Sequence, residues 1–287
     1  MSKKIIPAIL IVVAVLVLPK LVKNVSFDEK IQSELTQGGN GNVAQQTASN
    51  SEGAVQDKGV AHSGGLEIPH YESPRGGQLI CHTGYTLSYD ADFKTPQWVA
   101  WELTQAEAEG TEPRAKKFMP DPQIRGAKAY HSDYTNSGYD RGHMAPAADM
   151  KWSRKAMEES FYLSNVCPQN RNLNRGDWKD LEELEREWAM QYGSVCITAG
   201  PIYHSASPKR IGANKVAVPD GFFKVLLVDY PDSPKAYGFI FKNESGSRPL
   251  KAYQLTVDEV EKQTKMDFFS ALPDELEAKI EQQRPAL

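Results

Sequence analysis

Trp178, Leu181, Leu184, Trp188 and Tyr192 recur at three- and four-residue steps after Asp177. That spacing predicts a helix with one apolar face, because residues three and four apart lie on the same side of an α-helix. A one-sided helix must be covered, and the same sequence supplies the cover. Residues 79–89, with Gly84 as punctuation, and residues 97–103, 194–199, 222–228 and 236–241 are short apolar runs that read as strands. They stand among helical segments at 149–161, 257–264 and 273–283 without the regular alternation of a parallel sheet. The expected fold is therefore α+β, a largely antiparallel central sheet flanked by helices. Residues 161–164 read as a further short strand-like run, with Pro168 expected to end any ladder and Gly200-Pro201 to end the strand at 194–199.

Not all of the chain belongs to that fold. Lys3 and Lys4 precede an apolar run over residues 5–18, and no small-x-small cleavage site follows it. Extended to Val22, the run would make roughly 27 Å of helix, just enough to cross a thin bilayer. Residues 1–23 are thus a signal or, preferably, an uncleaved membrane anchor. Residues 24–65 turn to Ser, Gln, Asn, Gly and Ala with few large apolar side chains, which predicts a flexible linker. The folded domain is expected over residues 66–287. This places the chain at a bacterial cell envelope, anchored and facing the periplasm or the exterior, or else secreted.

Charge is uneven along the chain. Residues 111–175 hold eleven Lys/Arg against seven Asp/Glu, whereas the whole chain carries a net −4. A dedicated nucleic-acid coating protein would usually be basic throughout, so the local excess points to one anion-facing region. Much of it lies in residues 113–138, a Pro-, Gly-, Lys- and Arg-rich stretch without periodicity that reads as a long loop. His131 within it reads as a surface histidine. Cys81, Cys167 and Cys196 show no CxxC spacing and are odd in number, so a zinc knuckle is excluded, while one bridge or three thiols both stay open.

The basic region leads into Asp140-Arg141-Gly142-His143-Met144-Ala145-Pro146. In an extended segment Arg141 and His143 project from one face, since side chains alternate along a strand. A guanidinium matches phosphate oxygens, and an imidazole of ordinary pKa about 6.5 can accept a proton near neutrality. Activity resting on that imidazole would rise with pH between about 5 and 8. The pair suits attack by water on a phosphodiester. Asn174 falls at or just before the start of the helix beginning at Asp177, where backbone donors and the helix dipole favour an anion. Read alone, without the surrounding motif, it is better explained as a helix cap. Glu182 lies eight residues on, offset by about 80° if the helix is continuous, and read alone is a solvated carboxylate.

Several ordered motifs continue the pattern: residues 140–149 (DRGHMAPAAD), 165–169 (NVCPQ), 174–182, 218–225 (VPDGFFKV) and 257–272. Over residues 84–272 the chain resembles the DNA/RNA non-specific endonucleases of the ββα-metal finger type, the family that includes mitochondrial endonuclease G. The resemblance implies His143 as general base and Asn174 as the one protein ligand of a magnesium ion, for which manganese may substitute. It places Arg141, Asn165 and Glu182 around the phosphate and the metal's waters, with DNA and RNA as substrates. Lys265 stands where the family pattern has glycine. Other readings are an anchored nucleic-acid-binding protein without catalysis, or a phosphodiesterase on another substrate. No GxSxG or HExxH pattern supports a serine or zinc hydrolase.

Overall fold

The computed structural model describes residues 65–287, so the anchor and nearly all of the linker expected from sequence lie outside the described residues. The strands are β1 (Gln78–Cys81), β2 (Thr86–Asp90), β3 (Thr95–Thr104), β4 (Asp140–His143), β5 (Val166–Gln169), β6 (Ser194–Ile202), β7 (Arg210–Ile211), β8 (Val216–Ala217), β9 (Gly221–Val228), β10 (Lys235–Lys242) and β11 (Gln254–Leu255). The helices are α1 (Gln105–Ala108), α2 (His131–Tyr134), α3 (Arg154–Ser160), α4 (Arg171–Arg175), α5 (Asp177–Tyr192), α6 (Val257–Thr264) and α7 (Asp274–Glu281). Among the described residues no helix is long and apolar enough to cross a membrane.

Seven strands form one sheet in the order β1-β2-β3-β6-β9-β10-β11, every pair antiparallel. Its two faces carry separate cores, as the period-2 alternation of strands requires. Along β9, Phe222, Leu226 and Val228 join Val99, Trp101 and Ile197 against α5, where Trp178, Leu181 and Ala189 are fully buried. Phe223, Val225 and Leu227 face the other way, onto Val257 and Val260 of α6, Ile280 of α7 and the Phe268-Phe269 turn. Both faces being covered explains why β9 reads as a continuous apolar run rather than an alternating one. Lys224 is the exception on the α5 face. It is fully buried, its Nζ lies 2.9 Å from Glu185 on α5, and it sits over the rings of Trp178 and Trp101.

The strand boundaries differ from expectation where proline is concerned. β6 runs through Gly200 and Pro201 to Ile202, and Pro168 lies inside β5, opposite Arg141 of β4. β4 and β5 form a separate two-stranded ribbon, and in a ribbon each strand has an open edge where a missing N–H costs no ladder bond. The Pro168 carbonyl instead accepts from Asn243 Nδ2 at 3.0 Å. Residues 161–164 form no strand, since Leu163–Asn165 is a 3₁₀ turn. The helix expected at 149–161 is confined to α3, capped by Ser153. Cys81, Cys167 and Cys196 form no disulfide with one another.

At the end of α6, Lys265 adopts φ 63° and ψ 24°, the left-handed conformation in which a Cβ is unfavourable. This is the position where the family pattern carries glycine. Lys265→Gly should accordingly stabilise the domain by about 1 kcal/mol, read as a higher denaturation midpoint in urea at unchanged slope. A fall in the midpoint would show that the lysine side chain contributes more than the backbone loses.

Candidate active site

The β4–β5 ribbon and the α4–α5 pair build one side of a cleft of about 410 Å³. In the ribbon Asp140 pairs with Gln169, Arg141 with Pro168, Gly142 with Cys167 and His143 with Val166. Arg141 and His143 both line the cleft, as their two-residue spacing predicts. Gly142 faces the opposite way, where a Cβ would lie 2.6 Å from Cβ of the fully buried Gln169. Only glycine lets the strand lie this close to its partner. Asn243, at the end of β10, accepts the Asn170 N–H at 2.7 Å and donates to the Pro168 and Pro219 carbonyls, tying ribbon, α4 and main sheet together.

His143 is held by aromatic rings. Phe118 and Phe161 lie with centroids 5.1 and 5.0 Å from the imidazole, and each also carries a guanidinium: Arg141 over Phe118 at 5.1 Å and Arg114 over Phe161 at 5.0 Å. Burial, with Arg114 and Arg141 adding to it, pushes the His143 pKa down to about 3. The imidazole is thus neutral and proton-accepting across the whole range from pH 5 to 8, which corrects the expectation of a titration inside that window. Its Nε2 is buried and bonded to no group among the described residues. His131 is exposed, as expected, but it contacts Arg141 Nη1 at 3.3–3.4 Å.

Asn174 is not at the start of the long helix. It lies in the last turn of α4, which Asn170 caps, and Gly176 breaks the chain before α5. The dipole reading for Asn174 therefore fails, and so does the angle computed for one continuous helix. What orients Asn174 is a carboxylate: its Nδ2 donates to Asp140 Oδ2 at 3.3 Å, and no hydrogen bond to its Oδ1 is found among the described residues. Asp140 also accepts from Arg175 at 2.9 Å and Arg171 at 3.3 Å. Its partial burial would raise its pKa, but Arg175, Asn174 and Arg171 outweigh that and hold it below the usual carboxylate range.

Glu182 projects from α5 into the same cleft. Burial raises its pKa to about 7; Lys224 and Arg186 oppose the rise and Asp149 adds to it. Asp149, the last residue of the DRGHMAPAAD stretch, is itself fully buried, accepting from Arg186 at 2.8 Å and from Trp101 Nε1 at 3.1 Å. The cleft is lined by five cations, Arg114, Arg141, Arg175, Lys179 and Arg186, against the two carboxylates Asp140 and Glu182. That excess suits a polyanion.

Asn165 departs from its expected place. It is fully buried and does not line the cleft; its Oδ1 accepts from Ala145 N at 2.9 Å while Nδ2 donates to the Ala145 carbonyl at 2.8 Å and the Ser160 carbonyl at 3.0 Å. All its hydrogen-bonding capacity goes to backbone, so it holds the segment two residues beyond His143 rather than a phosphate. Arg114, Phe118 and Asp140 are site residues that sequence reasoning did not single out.

An antiparallel two-stranded ribbon followed by α4 and α5 brings a histidine, an amide and a carboxylate to one cation-rich cleft, an arrangement of ββα type. The chain belongs to the DNA/RNA non-specific endonuclease family, which it matches over residues 62–275. It is 36% identical over 213 residues to the mitochondrial nuclease EXOG of Danio rerio, covering 69% of this chain and 62% of that protein. It is 37% identical over 174 residues to the mitochondrial endonuclease G of Homo sapiens, covering 57% of this chain and 59% of that protein. The chain thus spans about three-fifths of the length of these relatives. The EndoG/EndoGI complex, whose title concerns EndoG inhibition, contains a chain that superposes with a TM-score of 0.65 at 31% identity, covering 71% of this chain and 90% of that one.

Proposed function

We propose that this chain hydrolyses the phosphodiester bonds of DNA and RNA without reading base sequence, with His143 as general base and one magnesium ion held through Asn174. The observation that carries the proposal is the pairing of a neutral imidazole with cation-rich walls in the cleft that Asn174 and Glu182 also line. The donors suit a hard divalent ion: the Asn174 amide nitrogen is committed to Asp140, which leaves its oxygen to serve as a ligand, and the Glu182 carboxylate lines the same cleft. When bound, such an ion polarises a phosphoryl oxygen and offsets charge on the leaving oxygen.

The chain's own groups supply the rest. The His143 imidazole takes a proton from the attacking water, and its burial between two phenylalanines keeps it unprotonated beforehand. Arg141 and Arg114, stacked on those same rings, are placed to offset the negative charge that grows on the phosphoryl oxygens. Asp140 orients the Asn174 amide, and Arg175 and Arg171 keep Asp140 ionised. None of the roles proposed here involves a base edge, since they concern the phosphate, the attacking water and the ion, so little sequence preference is expected.

The test is digestion of supercoiled plasmid, linear DNA and total RNA in magnesium, in manganese and in chelator. Cleavage of all three nucleic acids, abolished by chelator, is the expected result. Binding without cleavage would instead make the chain a nucleic-acid-binding protein that has lost catalysis, and cleavage of a cyclic nucleotide alone would move it to another phosphodiester. The domain is further proposed to work outside the cytoplasm, tethered by residues 24–65 to a membrane anchor in residues 1–23.

A further inference from the structure

On the sheet face opposite the cleft, α6 and α7 bring acids together rather than apart. Asp258 and Glu261 of α6 and Glu281, the last residue of α7, each place one carboxylate oxygen within 4.8 Å of the others. Glu281 is only 5% exposed, and its Oε1 is buried with no hydrogen-bond partner among the described residues. Glu277 of α7 and Asp267 of the connecting turn add two more carboxylates to the surroundings. Among the described residues none of these five acids is in an ion pair, and the one nearby pair, Arg284 with Glu259, lies outside the set. Glu261 is fixed in place by accepting the Phe268 N–H through Oε1 at 2.9 Å. The chain beyond α7 is docked as well, because Gln254 Nε2 donates to the Pro285 carbonyl and the Tyr237 hydroxyl to that of Ala286.

An arrangement of this kind needs a positive charge from outside the chain or protons from solvent. Five carboxyl groups lie close together here and no basic side chain is paired with any of them among the described residues, so their charged forms oppose one another. The buried Oε1 of Glu281, unpartnered among the described residues, is an oxygen open to a cation. The donors are all oxygen, which selects a hard cation. Calcium takes about six to eight oxygen ligands in flexible geometry, whereas magnesium demands a near-ideal octahedron and keeps several waters, so a cluster of side-chain carboxylates favours calcium. We propose that Asp258, Glu261 and Glu281 form a calcium site that fastens α7 to α6, on the side of the sheet away from the catalytic cleft.

The test follows thermal unfolding of the full chain in chelator, in 5 mM CaCl2 and in 5 mM MgCl2. Because the catalytic cleft can also take a divalent ion, the same measurements are made on Asn174→Ala. Calcium should raise the melting temperature by about 2–4 °C in both proteins, and more than magnesium does. Glu281→Gln keeps the size of the side chain and removes one charge, so it should lose the calcium-dependent rise while melting no lower than the parent in chelator. Asp258→Asn should lose the same rise. A calcium shift that persists in Glu281→Gln, or that disappears in Asn174→Ala alone, would overturn the site. So would a chain that calcium leaves unchanged and that gains stability in chelator between pH 8 and pH 6, since protons would then be what the acids hold.

Discussion

Replacing His143 with alanine should lower the rate of DNA cleavage by roughly 100- to 10,000-fold while leaving DNA affinity nearly unchanged. The imidazole is neutral before substrate arrives and contributes no charge to binding, whereas Arg114, Arg141, Arg175, Lys179 and Arg186 all remain. Single-turnover cleavage and a separate binding titration in chelator would split the two effects; equal losses in both would mean that His143 positions the backbone rather than moving a proton. The pH dependence sharpens the assignment. With its pKa at about 3, His143 stays deprotonated above pH 5, so any limb between pH 5 and 8 belongs to another group. Glu182, raised to about 7, is that group: it loses its charge as pH falls through 7, and activity should fall with it. Added magnesium favours the carboxylate and should move the limb to lower pH. Glu182→Gln should abolish the limb, and its persistence in that variant would return the titration to His143.

The loss for Asn174→Ala should be comparable in size but different in character. Asn174 is the only protein group proposed to bond the ion directly, so its removal weakens metal binding without touching the base. Raised magnesium should therefore recover part of the activity of Asn174→Ala and none of that of His143→Ala. Normal activity of Asn174→Ala at low magnesium would remove the metal assignment. Since Asp140 sets the direction of the amide, Asp140→Asn should show a milder version of the same magnesium-dependent loss.

What was legible in the sequence follows from what has a period. The apolar stripe of α5 and the strands β3, β6, β9 and β10 announce themselves because burial repeats at 3.6 or 2 residues, and the shared face of Arg141 and His143 follows from the same alternation. The start of the long helix at Asp177 was legible, but the short α4 that ends just before it was not. Asn172 and Leu173 continue the helical spacing into α5, and the backbone at Gly176, with φ −113° and ψ −114°, leaves no mark in hydrophobicity. The ring cage around His143 was hidden for a different reason. Phe118 and Arg114 come from the aperiodic loop at 113–138, and their position depends on Met119 pairing with Phe161 and Leu163, contacts some forty residues distant in the chain. Without the cage, an ordinary histidine pKa was the only available expectation, and it was displaced by burial. Asn165 was misplaced because a motif marks a residue as required without saying whether it meets substrate or backbone.

The buried Lys224 gives α5 something like the key in a lock shaft. An apolar helix on an apolar sheet can slide or roll by one residue and still bury grease against grease. With Lys224 matched to Glu185, a step of 1.5 Å and 100° would strand an ammonium among Trp101 and Trp178, at a cost of about 3–5 kcal/mol for the broken pair. Glu185 stands three residues after Glu182, so the contact that denies the helix any other setting also decides which way Glu182 points. The direction of a carboxylate in the cleft is thus indexed from inside the core, by a charge that never meets solvent.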